Sequence, residues 1–171
     1  MLKAFYRRQL PHLQRDDKPH FLTFCTDHRW ILPEHVRFIV IDSCLHDAGT
    51  KLEIQVVVVM PDHVHMIFTP LVNLQAMEVY SLAEITDAIK GASAHKINRA
   101  LRRHGRVWQP ESFDHVLRSS ESLQQKVNYL LANPVRQGLV ARWQDYSWIW
   151  RSDPLLAMPP QILLASRSEK D

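Results

Sequence analysis

From Glu53 to Met60 the chain reads Glu-Ile-Gln-Val-Val-Val-Val-Met, a β-branched run that predicts a central strand buried on both faces. Upstream, His20 to Thr26 (His-Phe-Leu-Thr-Phe-Cys-Thr) is rich in aromatic and β-forming residues and predicts a first strand, preceded by a basic arm. Between them Pro33 and Glu34 open a helical pattern in which Val36, Ile39, Val40 and Leu45 approximate one face, with Gly49 where the helix ends. Pro61-Asp62 carries turn chemistry, so His63 to Phe68 pairs back on the central run as a tight antiparallel hairpin. Pro-Asp is not a favoured two-residue hairpin turn, and a bulge is expected there.

Further on, Ser81 to about Arg103 predicts a long helix with Leu82, Ile85, Ile89, Ile97 and Leu101 as apolar positions and a basic remainder. A short strand follows at Phe113 to Leu117. Ser122-Leu-Gln-Gln125 then has the form of a capping box, with Glu121 near the positive helix end, and launches a helix that Pro134 must stop. Past about Trp150 the pattern dissolves. The order strand, helix, strand, strand, helix, strand, helix is that of an α+β domain: an antiparallel sheet with helices on one side, of the split βαβ or ferredoxin-like sort. One domain over residues 1–150 and a partly irregular tail over 151–171 is the expected organisation.

Composition adds little to this picture and charge adds more. At 171 residues, 46% of them hydrophobic, the chain can bury a core without staples. Its two cysteines, Cys25 and Cys44, form no CxxC, and there is neither an N-terminal apolar leader nor a run long enough to span a membrane, so a reducing cytoplasm is expected. Net charge is only +3, yet between Ala88 and Pro110 stand Lys90, Lys96, Arg99, Arg102, Arg103 and Arg106, with His95 and His104 and no acid. That block is either a solvated helix face or a surface for a polyanion.

The candidate chemistry starts at His63 and His65. On a strand, residues two apart share a face at about 6.5 to 7 Å, close enough for two imidazoles to converge on one divalent ion, while Val64, Met66 and Phe68 face the core. Paired half-buried histidines without a ligand are the alternative, and a third ligand must come from elsewhere. In the helix after Gln124 the core stripe is Leu123, Val127, Leu130 and Leu131; Tyr129 falls roughly 145° from its centre. Asn133 lies four residues on and Lys126 three residues back, so a hydroxyl, an amide and an ammonium share one polar face. By pattern alone Tyr129 is equally a surface aromatic, and Asn133 a helix-ending residue before Pro134.

With Arg7-Arg-Gln-Leu-Pro-His12, Phe21-Leu-Thr-Phe24, Val59-Met-Pro-Asp-His-Val-His65, Ile89-Lys-Gly-Ala-Ser-Ala94, Ile97-Asn-Arg99, Trp108-Gln109, Ser112-Phe-Asp-His-Val-Leu-Arg118 and Tyr129-Leu-Leu-Ala-Asn-Pro-Val-Arg-Gln-Gly-Leu-Val140, in that order, the chain resembles the single-tyrosine HUH transposases of the insertion-sequence-200 type, especially their REP-associated tyrosine transposase branch. The likeness covers residues about 7 to 148. It implies an HUH endonuclease fold, His63 and His65 as metal ligands, Asn133 as the third, amide-bearing ligand, and Tyr129 as nucleophile. Asp62 stands where many relatives have Asn. The resemblance further implies Mg2+ or Mn2+, cleavage and rejoining of single-stranded DNA near a hairpin through a 5′-phosphotyrosine, and a monomer, although mobile relatives form dimers that trade tyrosine helices. Arg7, Arg8 and the block Lys90, Lys96, Arg99, Arg102, Arg103 and Arg106 would then track phosphates. An ordinary phenol ionises only near about pH 10, so Lys126 is a candidate to stabilise the tyrosine oxygen or the phosphate. His115 reads as structural. Two other functions compete: a non-catalytic ferredoxin-like module for structured nucleic acid, and a metal-dependent nuclease that does not rejoin.

Overall fold

The computed structural model describes residues 18–118 and 122–152; the arm with Arg7 and Arg8, Glu121 and most of the tail lie outside the described residues. The elements are β1 (His20–Cys25), α1 (Glu34–Leu45), β2 (Leu52–Val59), β3 (His63–Pro70), the short pair β4 (Val72–Asn73) and β5 (Glu78–Val79), α2 (Leu82–Ala100), β6 (Phe113–Val116), α3 (Leu123–Leu131), the single turn α4 (Asn133–Arg136) and β7 (Ile149–Arg151). Five strands form one antiparallel sheet in the order β6-β1-β3-β2-β7. The first four stand in the ferredoxin-like order, with β3 inserted between β1 and β2. The three-residue β7, which the hydrophobic pattern does not predict, extends this sheet along β2.

The long helices share one face of the sheet. Val36, Val40 and Cys44 of α1 and Ile85, Ile89 and Ile97 of α2 are buried with Leu22, Phe24, Val57, Val59, Val64, Met66 and Phe68 in one core. Each large side chain fully buried there stabilises the fold by about 1.5–3 kcal/mol. Ser81 caps α2 by accepting from Glu84 N at 3.1 Å, and α1 stops at Leu45, so Gly49, at φ +78°, serves the turn into β2 rather than the helix end. The expected bulge is absent from the Pro61-Asp62 turn, which closes with Met60 N donating to His63 O at 2.8 Å. It falls instead within β2, between Ile54 and Val56. The extra residue there, Gln55, shifts the alternation so that Val57 and Val59 face α1 and α2 while Val56 and Val58 face the other way.

On that second face lies a smaller core, in which Val56, Val58, Met60 and Ile67 pack with Val127, Leu130 and Leu131 of α3 and with Tyr146. Ser122 Oγ caps α3 by accepting from Gln125 N at 3.3 Å. Leu123, assigned to the core stripe by its spacing, is 37% exposed because the helix meets the sheet only from its second turn onward. Pro134 ends α3 as expected and then starts the separate turn α4. No helix among the described residues is long and apolar enough to cross a membrane.

Candidate active site

His63 and His65 project from the start of β3 onto the face covered by α3, because Val64 and Met66 between and beyond them are held in the larger core. Their rings meet edge-on with centroids 4.6 Å apart. Nδ1 of His63 lies 2.6 Å from Asp62 Oδ1. An ionised carboxylate can only accept, so Nδ1 is the nitrogen that carries the proton in this bond. Asp62 is itself tied to Arg29, whose Nε donates to Oδ2 at 2.8 Å. Burial alone would raise the Asp62 carboxyl, but the bonds and charges of His63 and Arg29 outweigh it and hold the group below its ordinary range. His65 Nδ1 pairs with Thr23 Oγ1 at 2.7 Å across the β1–β3 ladder. Burial first, then the charges of His63, Arg136 and Arg29, push its pKa down to about 3, so the imidazole is neutral at ordinary pH.

Arg29 reaches Asp62 through unusual backbone. His28 and Arg29 both take left-handed φ, 51° and 56°, in the turn that follows β1, a conformation costing non-glycine residues on the order of 1 kcal/mol each. Thr26 holds the turn by donating its hydroxyl to Trp30 O (2.7 Å) and Asp62 O (3.0 Å).

Tyr129 rides on α3 with its ring 57% exposed, while Val127, Leu130 and Leu131 face the sheet, the division its place off the apolar stripe predicts. Asn133 is buried. The two are joined by a residue that sequence reasoning did not single out: the Arg136 guanidinium sits 4.1 Å over the Tyr129 ring and donates from Nη2 to Asn133 Oδ1 at 3.2 Å. Its charge is also felt at His65, so Arg136 links the α3–α4 side of the site to the imidazole pair. Lys126 is half-buried on the same helix and already engaged. Among the described residues no three His, Cys, Asp or Glu side chains gather as a metal site; the donors on this face are two imidazoles and the Asn133 amide.

The basic block is divided by the fold. Lys96, Arg99, Arg102 and Arg106 are exposed, but α2 packs on the sheet face opposite the histidines. Two of its cations have internal work instead. Lys90, its pKa lowered by burial against the raising pull of Asp87 and Glu111, donates from Nζ to Pro110 O (2.9 Å) and Ser112 Oγ (3.1 Å). Arg103 stacks 4.2 Å over Trp30. Trp108 packs edge-on against Phe24 at 4.9 Å and donates to Ser93 Oγ at 2.9 Å, a structural role for the Trp108-Gln109 pair. His115 stands half-buried on β6, opposite Phe21 in the ladder.

Residues 18–130 match the family model described as "Transposase IS200 like". The chain belongs to this family. The fold agrees: a REP-associated tyrosine transposase solved bound to a REP hairpin superposes with a TM-score of 0.58 at 23% identity, over 78% of this chain and 76% of that one. A proposed transposase from Deinococcus radiodurans R1 overlaps at a TM-score of 0.47 and 24% identity, over 67% of this chain and 88% of that one. A bacterial tRNA(His) guanylyltransferase-like protein in complex with GTP overlaps at 0.46 and 14% identity, over 91% and 86%. No curated protein matches the chain significantly. The transposase match includes His63, His65 and Tyr129 and stops short of Asn133 and Arg136.

Proposed function

We propose that this transposase cleaves single-stranded DNA beside a hairpin and rejoins it through a tyrosine-linked intermediate. The observation that carries the reading is an exposed tyrosine and a close imidazole pair on one sheet face, with the Arg136 guanidinium over the tyrosine ring and its charge felt at His65. The hairpin in the solved REP-associated neighbour supports a DNA substrate of the same kind. In the reaction the Tyr129 oxygen attacks phosphorus, the P–O3′ bond breaks, and the products are a 5′-phosphotyrosine and a free 3′-OH; a 3′-OH attacking the phosphotyrosine reverses the step and joins strands. Tyrosine suits such a reversible exchange because a phenolate leaves more readily than an aliphatic alkoxide.

His63, His65 and Asn133 form a donor set suited to a divalent ion, Mg2+ or Mn2+. With Nδ1 anchored on Asp62, Nε2 is the nitrogen that His63 would turn to an ion, the carboxylate–imidazole support common at metal-binding histidines. His65 offers Nε2 if its Nδ1–H donates to Thr23. When bound, the ion supplies Lewis acidity to a phosphate oxygen. Asn133 Oδ1, which now accepts from Arg136, would be the amide donor to such an ion, and the Arg136 and Arg29 guanidinium groups would offset the charge of a phosphate held there. Lys126 is assigned a lesser role on the tyrosine or phosphate oxygen. Manganese binding followed by electron paramagnetic resonance tests the donor set apart from catalysis. Wild-type protein should bind one Mn2+, and His63→Ala and His65→Ala should each lose it; unchanged binding by both variants would remove the histidines from this role.

A further inference from the structure

The sheet face that carries the imidazoles continues past β3 onto β1 and β6. Register sets Val58, His65, Thr23 and Phe113 in one row across β2, β3, β1 and β6, and Val56, Ile67, Phe21 and His115 in the next. A line of rings crosses these rows. His63 to His65 is 4.6 Å, His65 to Phe21 5.6 Å, and Phe21 to Phe113 6.3 Å, the last edge-on at 71°. Its outer member, Phe113, is 62% exposed on an edge strand, where a phenylalanine adds little to the core. Its backbone is nonetheless fixed: β6 is laddered to β1, Gln109 N donates to Cys25 O at 2.9 Å, and Lys90 clamps Pro110 and Ser112 immediately before it.

We propose that Phe113, backed by Phe21, is a stacking platform for an unpaired base of the strand whose phosphate lies at His63 and His65. This rests on the single-strand reading above. Phe113 stands two strand spacings, about 10 Å, from β3, which suits a neighbouring nucleotide rather than the reacting one. Exposed aromatic rings on sheet strands hold bases irrespective of sequence, since every base has a π-face. Arg29, held on the Asp62 carboxylate beside His63, and Arg136 both bring positive charge to the inner end of the row, so charge favours a polyanion there over a second copy of this basic chain. The Ser112-Phe-Asp-His segment, left without a chemical role by the cleavage mechanism, acquires one.

The test uses the full chain and fluorescent hairpin DNA in three forms: with a single-stranded flank, with the same flank made abasic, and without a flank. Wild-type protein should gain more affinity from the normal flank than from the abasic one, whose phosphates remain but whose bases do not. Phe113→Ala should lose about tenfold on that DNA and nothing on the other two, Phe113→Trp should restore the gain, and thermal midpoints should stay together because the ring is exposed. If Phe113→Ala keeps the full gain while wild type still forms a Tyr129 adduct, the platform is refuted and the cleavage reading stands. If no protein gains from the flank and no adduct forms, both fall.

Discussion

Arg136 is the residue on which the two halves of the site meet. It lies over Tyr129, bonds Asn133 and bears on His65. Its spacing, three residues from Asn133 and seven from Tyr129, is one helical face, but Pro134 between them argues for a helix end and hides the relation in the sequence. Arg29 left no signal at all, since its reach to Asp62 depends on two successive left-handed residues that no local preference announces. His63 and His65 were legible because strand alternation fixes their common face, and Tyr129 because it falls off an apolar stripe. Arg136→Ala should slow formation of the DNA–protein adduct about tenfold, the weight of a charged hydrogen bond, while shifting the midpoint of unfolding little. Arg136→Lys, which keeps charge but loses the planar fork, should recover only part of the rate. Quantifying adduct against time in both variants checks this, and a wild-type rate in Arg136→Ala would leave Arg136 as a surface contact.

At the scale of elements, the site depends on α3 lying on the sheet face that the two long helices leave open. The bulge at Gln55 and the Tyr146 hydroxyl support that second layer: the hydroxyl donates to Val59 O at 2.8 Å inside the smaller core, and burial raises its pKa. Tyr146→Phe leaves that buried carbonyl without this partner and should cost about 1–2 kcal/mol, read as a lower urea midpoint with an unchanged slope. A loss below 0.3 kcal/mol would mean water replaces the bond. The places of the main strands and helices along the chain followed from β-forming runs and from the 3.6-residue period. The short β7 did not, because three residues are too few to show a pattern and its pairing is set by the neighbouring strand. Nor did the shift of the bulge into β2, which answers the need to present valines to two cores.

Across the whole molecule, the fold is that of an IS200-like transposase, and the basic helix stands on the far side of the sheet from the histidines. Charge clustering showed the block in the sequence but could not separate Lys90 and Arg103, which are held by internal contacts, from Lys96, Arg99, Arg102 and Arg106. If those four track phosphates, replacing any one with Gln should lower the slope of log affinity against log salt by about 0.7 for single-stranded DNA. A slope unchanged in all four would make the block a solvated face.

Tyr129 as nucleophile is tested most directly by trapping hairpin DNA with a single-stranded flank in Mn2+ and mapping the adduct by mass spectrometry. A 5′-phosphotyrosyl peptide containing Tyr129 is expected, absent in Tyr129→Phe together with all cleavage. Cleavage that persists in Tyr129→Phe without an adduct would contradict it and make the protein a nuclease that uses water.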